Sequence, residues 1–71
     1  MESKRDRFVR LAEARTNKVI DMIRLLGNLS NKNNYDYSDD DVTKIFSAVE
    51  REIKTSKLRF SNQNQNDSFK L

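Results

Sequence analysis

The chain has no cysteine, no histidine and no proline, and it has a single glycine among its 71 residues. Without cysteine or histidine it can form neither a disulfide nor a zinc site of the usual kind. Those two residue types also supply many catalytic bases and nucleophiles, and no glycine-rich phosphate loop is present. We therefore expect a binding protein rather than an enzyme, with no cofactor and no metal.

Long apolar runs are also missing. No stretch approaches the ~18 apolar residues of a membrane-spanning helix, and no signal-peptide core is present. We therefore expect no membrane partner and a cytoplasmic location. A single core in a chain this short rarely supplies more than ~3–5 kcal/mol of stability. Because disulfides and zinc are excluded, oligomerisation is the stabiliser that remains, and we expect a homo-oligomer.

Apolar residues spaced alternately four and three positions apart predict a first helix from about residue 4 to residue 26 or 29. Gly27 is a candidate C-cap for it. The apolar period nevertheless continues to Leu29, which leaves open a helix that passes through the glycine. The apolar line consists of Phe8, Ala12, Val19, Met22, Leu26 and Leu29.

A second helix is predicted over residues 39–60. Ser38 followed by Asp41 resembles a capping box, and aspartates in the first turn suit the helix dipole. The aspartates of residues 36–41 lack the glycine and closing glutamate of a calcium loop, so capping explains them best. The second apolar line consists of Val42, Phe46, Val49, Ile53 and Phe60, with Ser56 among them.

The predicted fold class is all-α: an antiparallel two-helix hairpin that assembles into a homo-oligomeric helical bundle. A linker of about ten residues favours the antiparallel arrangement. The hairpin domain is predicted over residues 4–60. The polar, low-complexity residues 61–71 are predicted to form a disordered tail.

Arg15 occupies a position of the first apolar line that should be apolar. A permanent cation there needs a partner or a ligand. In an antiparallel register Arg15 lies at the height of Ser56, so both lines turn polar together. Basic residues cluster at the same end, with six between residues 4 and 18 (Lys4, Arg5, Arg7, Arg10, Arg15 and Lys18). This end of the hairpin should attract anions, although Arg15 could instead reach solvent or an acid of another chain.

A family resemblance adds to this interpretation. The runs RFVRLAEARTNKVIDMIRLLGNLSN and NYDYSDDDVTKIFSAVE resemble the helical hairpin domain of phage proteins that sequester cyclic nucleotides, the anti-CBASS and anti-Thoeris sponges. The resemblance covers about residues 7–60 and rests on RF-x-x-LA-x-x-R, I-x-x-LGNLSN and Y-x-Y-x-x-x-DV-x-x-IF. It implies a higher oligomer, often a hexamer, whose pockets between protomers hold cyclic di- or trinucleotides without cleaving them. Such a protein inhibits antiviral defence from the cytoplasm of the infected bacterium.

The resemblance also implies ligand contacts. In such pockets an arginine and a threonine contact phosphates, and an aromatic residue with a lysine clasps a cyclic dinucleotide. Thr16, with Arg10 or Arg15, is the best match to the first pair, and Phe8 is the aromatic residue near the N-terminus. Little sequence precedes the first helix, which favours a trinucleotide-type site. On the second helix Arg51 and Lys54 are the candidates that complete a pocket.

Two other classes of protein compete with this hypothesis. One is a mobile-element helical oligomer that binds nucleic acid, and the other is a protein-interaction module that binds a helix along its apolar face. The net charge is only +3 and no recognition-helix motif is present, so we do not expect a nucleic-acid partner.

Overall fold

The structure is a computed structural model that describes the backbone of residues 1–68 and the side chains of residues 1–61. This part of the chain contains helix α1 at Lys4–Gly27, a short 3₁₀ turn at Asn28–Ser30 and helix α2 at Asp39–Ser68, with no strand. The all-α, two-helix prediction is confirmed.

The chain divides into two units at the junction of Asp36 and Tyr37, one for each α-helix. We describe each unit by itself. No helix within the described residues carries an apolar stretch of the length that a membrane crossing needs.

Helix α1 begins with a side-chain cap. Ser3 has an extended backbone (φ −73°, ψ 168°), and its hydroxyl accepts a hydrogen bond from the Asp6 amide at 3.0 Å. The Ser3 carbonyl accepts from the Arg7 amide at 2.9 Å. The hydroxyl therefore satisfies one of the amides that a helix start leaves without partners, and the carbonyl accepts the first regular bond of the helix. Asp6 places a negative charge near the positive end of the helix dipole.

The end of α1 differs from that of a glycine-capped helix. Gly27 has φ −62° and ψ −28°, and Asn28 continues in the same right-handed region into the 3₁₀ turn. A glycine C-cap has positive φ, which no described residue adopts. The C-cap role for Gly27 is therefore wrong, and the alternative of a helix that passes through it is right.

An asparagine-rich turn follows. The Asn31 side-chain oxygen accepts from the Asn33 amide at 2.9 Å, and the Asn31 carbonyl accepts from the amides of Asn34 and Tyr35 at 3.1 and 3.0 Å. Asparagine favours such turns because its side chain mimics a backbone acceptor. These bonds form a tight turn directly after the 3₁₀ segment.

The predicted capping box starts α2. The Ser38 hydroxyl accepts from the Asp41 amide at 3.1 Å, while the Asp41 carboxylate accepts from the Ser38 amide at 2.9 Å. An aspartate here performs the role usually taken by glutamate. Asp40 also lies 3.2 Å from the Lys44 ammonium group, one turn later. The helix start at Asp39 matches the prediction.

Helix α2 runs to Ser68, beyond its predicted end at residue 60. No proline or glycine interrupts this segment, and its polar residues disfavour a helix only weakly. The tail predicted over residues 61–71 includes residues 69–71, which lie outside the described residues, and its disorder stays a prediction.

Neither helix buries a side chain within residues 1–61. The apolar line of α1 is exposed at Phe8 (50%), Val19 (53%) and Met22 (59%), and that of α2 at Ile53 (47%). The half-buried positions are Val9, Leu11, Ala12, Leu26, Tyr37 and Val49. Each helix therefore presents an apolar face that its own unit leaves uncovered.

Candidate functional site

Phe8, Arg15 and Thr16 lie on one side of α1. Phe8 and Arg15 are seven residues apart, which is two helical turns and a rise of about 10 Å. Thr16 follows Arg15 about 100° round the helix. An aromatic ring, a guanidinium group and a hydroxyl group are thus placed along one face by helical geometry alone.

The acids of α1 lie on the other side of the helix. The carboxylates of Asp6, Glu13 and Asp21 are about 140–160° from Phe8 around the helix axis. Within residues 1–61, Arg15 has neither an ion pair nor a side-chain hydrogen bond. Its positive charge is therefore uncompensated on a face that is otherwise largely apolar.

Phe8 has a cation next to it. The Arg5 guanidinium carbon lies 5.9 Å from the centroid of the Phe8 ring, within the range of a cation–π contact. Arg5 is not among the site residues predicted from the sequence. Its spacing of three from Phe8 could have identified it, because residues three apart are neighbours on a helix surface.

The Arg10 guanidinium group is paired with a carboxylate of the same chain. Its Nε donates to one oxygen of Glu2 at 2.7 Å and its Nη2 donates to the other at 2.9 Å. Arg10 also lies about 160° from Phe8 and about 120° from Thr16 around the helix. Of the two arginines proposed to act with Thr16, only Arg15 is next to it and unpaired in the described part of the chain.

The ion pair changes both pKa values. The hydrogen bond from Arg10 lowers the pKa of Glu2 below its ordinary value, against a smaller opposing effect of desolvation. The same bond raises the pKa of Arg10. Because the Glu2 pKa is lowered in the folded chain, the pair stabilises it above the ordinary glutamate pKa and is lost as pH falls through the lowered value.

Glu2 is not among the site residues predicted from the sequence. The residue precedes the helix, so the helical period does not relate it to Arg10, eight positions later. A possible indication was Ser3, a favourable N-cap residue whose extended backbone redirects the chain before the first turn. The residue before such a cap lies beside the first turns of its own helix.

The two candidate cations of α2 lie away from its apolar line. Arg51 is about 160° from Val49 and from Ile53, and Lys54 is about 100° from Ile53. Lys57 lies only about 40° from Ile53, at the border of the apolar face. Lys57 is not among the site residues predicted from the sequence, although the helical period places it beside the apolar line.

An open depression runs along the acidic side of α1. Its lining carries charges of both signs, so it is not a general anion pocket. No group of three or more acidic side chains among the described residues could hold a metal ion. The lining consists of Arg5, Asp6, Val9, Arg10, Glu13, Ala14 and Asn17.

Comparisons with protein-family models, with curated proteins and with solved structures found no match. The function is therefore inferred from the residues of the chain and their geometry.

Proposed function

We propose that this chain is a phage-type sponge that binds and sequesters a cyclic oligonucleotide without cleaving it, and so inhibits the antiviral defence of a bacterial host. The observation that carries the proposal is Arg15, a guanidinium group on an apolar helix face with no carboxylate partner among residues 1–61. A charge in that position requires a counter-ion once the face is covered.

The groups beside Arg15 suit a phosphodiester ligand. A guanidinium group forms charge-assisted, often bidentate bonds to phosphate oxygens, and the Thr16 hydroxyl can donate one further bond. Phe8, two turns away with Arg5 beside it, offers a ring on which a base can stack. Stacking of this kind contributes ~1–3 kcal/mol per base in other nucleic-acid-binding proteins.

Oligomerisation is part of the proposal. Each helix has an apolar face that is exposed in its own unit, and a protein helix gains most of its stability from packing such a face against a partner. We propose that α1 and α2 form an antiparallel hairpin and that further copies cover the remaining apolar surface, up to a hexamer. The ligand would then lie between protomers, with Arg51, Lys54 or Lys57 from α2 completing the pocket.

Sequestration requires tight binding and no chemistry. A chain without histidine or cysteine suits that task, since it lacks the imidazole that most often acts as a general base and the thiol nucleophile. The proposed site of action is the cytoplasm of the infected host, where the cyclic signal is produced.

The test is thermal denaturation of the full chain with a panel of cyclic di- and trinucleotides. A ligand present at 100 times its Kd should add ~2.7 kcal/mol to the free energy of unfolding. Linear oligonucleotides of the same bases are the control, and the ligand should be recovered intact after the protein is denatured. A panel in which no member stabilises the protein would refute the proposal.

The exposed apolar faces favour a second candidate, a helical module that binds another protein. Its signature would be a stoichiometric complex with a helical partner and no response to the nucleotide panel. Salt-sensitive retention on DNA would instead indicate a nucleic-acid-binding oligomer.

A further inference from the structure

Glu2 binds to a pair of arginines near the start of α1. Around the helix axis Arg10 lies about 160° and Arg7 about 100° from Phe8. The Glu2 carboxylate accepts two hydrogen bonds from Arg10, at 2.7 and 2.9 Å, in the fork geometry typical of carboxylate recognition. Arg7, one turn earlier on the same side, has its Nε 4.0 Å from a Glu2 oxygen. The two guanidinium groups and the carboxylate thus form one cluster.

The capped start of α1 positions Glu2 beside the two arginines. The extended backbone of Ser3 and its two hydrogen bonds to the first turn determine where residue 2 leaves the helix. The pair itself remains accessible, because the side chains of Arg7 and Arg10 are 65% and 60% exposed. Exposed ion pairs are weak, so a competing anion can displace the carboxylate.

A carboxylate satisfies only part of this site. Both Glu2 oxygens accept hydrogen bonds from Arg10. The 4.0 Å distance between the Arg7 Nε and a Glu2 oxygen is too long for a hydrogen bond. A terminal phosphate group has three free oxygens and up to two negative charges, so it can bond to both guanidinium groups at once. Asp6 and Glu13, which line the depression beside Arg10, oppose an anion from that direction.

We propose that Arg7 and Arg10 form a binding site for a terminal phosphate group, and that Glu2 occupies it as an internal competitor. Displacing the N-terminal residues opens the site. A cyclic oligonucleotide has only phosphodiesters and no terminal phosphate, so this site has a different ligand class from the face that carries Arg15. The inference is therefore independent of the proposed sponge function.

The experiment titrates the ¹⁵N-labelled full chain with inorganic pyrophosphate at constant ionic strength and follows the arginine Nε signals by NMR. Glu2→Gln should bind more tightly than the unmodified chain, by a factor of up to about five, which is the factor by which an exposed ion pair competes. Asp21→Asn is the matched control, since it also removes one negative charge from the unit that contains α1 but does not touch Arg10. It should leave the affinity unchanged.

Further variants separate this site from the proposed nucleotide face. In the Glu2→Gln background, Arg7→Ala and Arg10→Ala should each weaken pyrophosphate binding at least tenfold, whereas Arg15→Leu should not change it. An equal gain in Glu2→Gln and Asp21→Asn would overturn the inference, because net charge alone would then explain it. An Arg10 Nε signal that does not move during the titration would overturn it as well.

Discussion

Replacing Gly27 with alanine should stabilise the protein. The residue already has the backbone conformation of a right-handed helix, so a side chain there meets no conformational penalty. Apart from its chain neighbours and the nearby backbone of its own helix, a Cβ atom built on Gly27 finds no heavy atom within 4 Å. Alanine therefore loses nothing in the folded chain, while it reduces the conformational freedom of the unfolded chain.

The expected gain follows from this geometry. Glycine in a helix costs roughly 0.5–1 kcal/mol relative to alanine. For a domain of this size, 1 kcal/mol shifts Tm by about 4–8 °C. Gly27→Ala should therefore raise Tm by about 2–8 °C. The assay is thermal unfolding followed by circular dichroism at one fixed protein concentration, because the Tm of an oligomer depends on concentration.

The reverse substitution is the matched control. Ala14 is exposed in the interior of α1, so Ala14→Gly should destabilise the protein by about 1 kcal/mol. If Ala14→Gly behaves as expected and Gly27→Ala lowers Tm, then another segment or another copy approaches the Gly27 backbone closely. The expectation that a side chain at Gly27 meets no other part of the protein would then be refuted.

The remaining predictions concern assembly, the proposed site and the helix starts. Sedimentation at micromolar concentration should show a homo-oligomer, and a folded monomer of 8.4 kDa would contradict the assembly proposed here. Arg15→Leu should abolish binding of a cyclic nucleotide identified in the panel while stability stays or rises, because the change removes a charge from an apolar face. Thr16→Val should weaken binding less, since a neutral hydrogen bond contributes less than a charge-assisted one; calorimetric Kd values that respond to neither variant would exclude this face. Ser38→Ala removes the 3.1 Å cap of α2 and should cost about 1 kcal/mol in chemical denaturation, whereas an unchanged midpoint would show that the cap is dispensable. Arg10→Ala should raise the pKa of Glu2 towards its ordinary value in a carboxyl NMR titration, and a pKa that does not move would show that the pair does not persist in solution.

Local features could be predicted because their physics is local. The start of α2 depends on Ser38 and Asp41, whose reciprocal bonds need only residues three apart. The side of α1 that carries Phe8 and Arg15 follows from the helical period alone. A glycine, by contrast, permits a left-handed cap without requiring one, which is why the sequence left open whether Gly27 caps α1 or lies within it.

The sequence by itself determined an all-helical chain with two apolar faces, a cation within one of them and caps at the expected start of α2. Only the three-dimensional structure decided which arginines are free. It pairs Arg10 with Glu2 and sets Arg5 over Phe8, while Arg15 stays unpaired among the described residues. The physical reason is that pairing depends on where the chain runs before the helix and on side-chain direction, and neither follows from the spacing of residues along a helix.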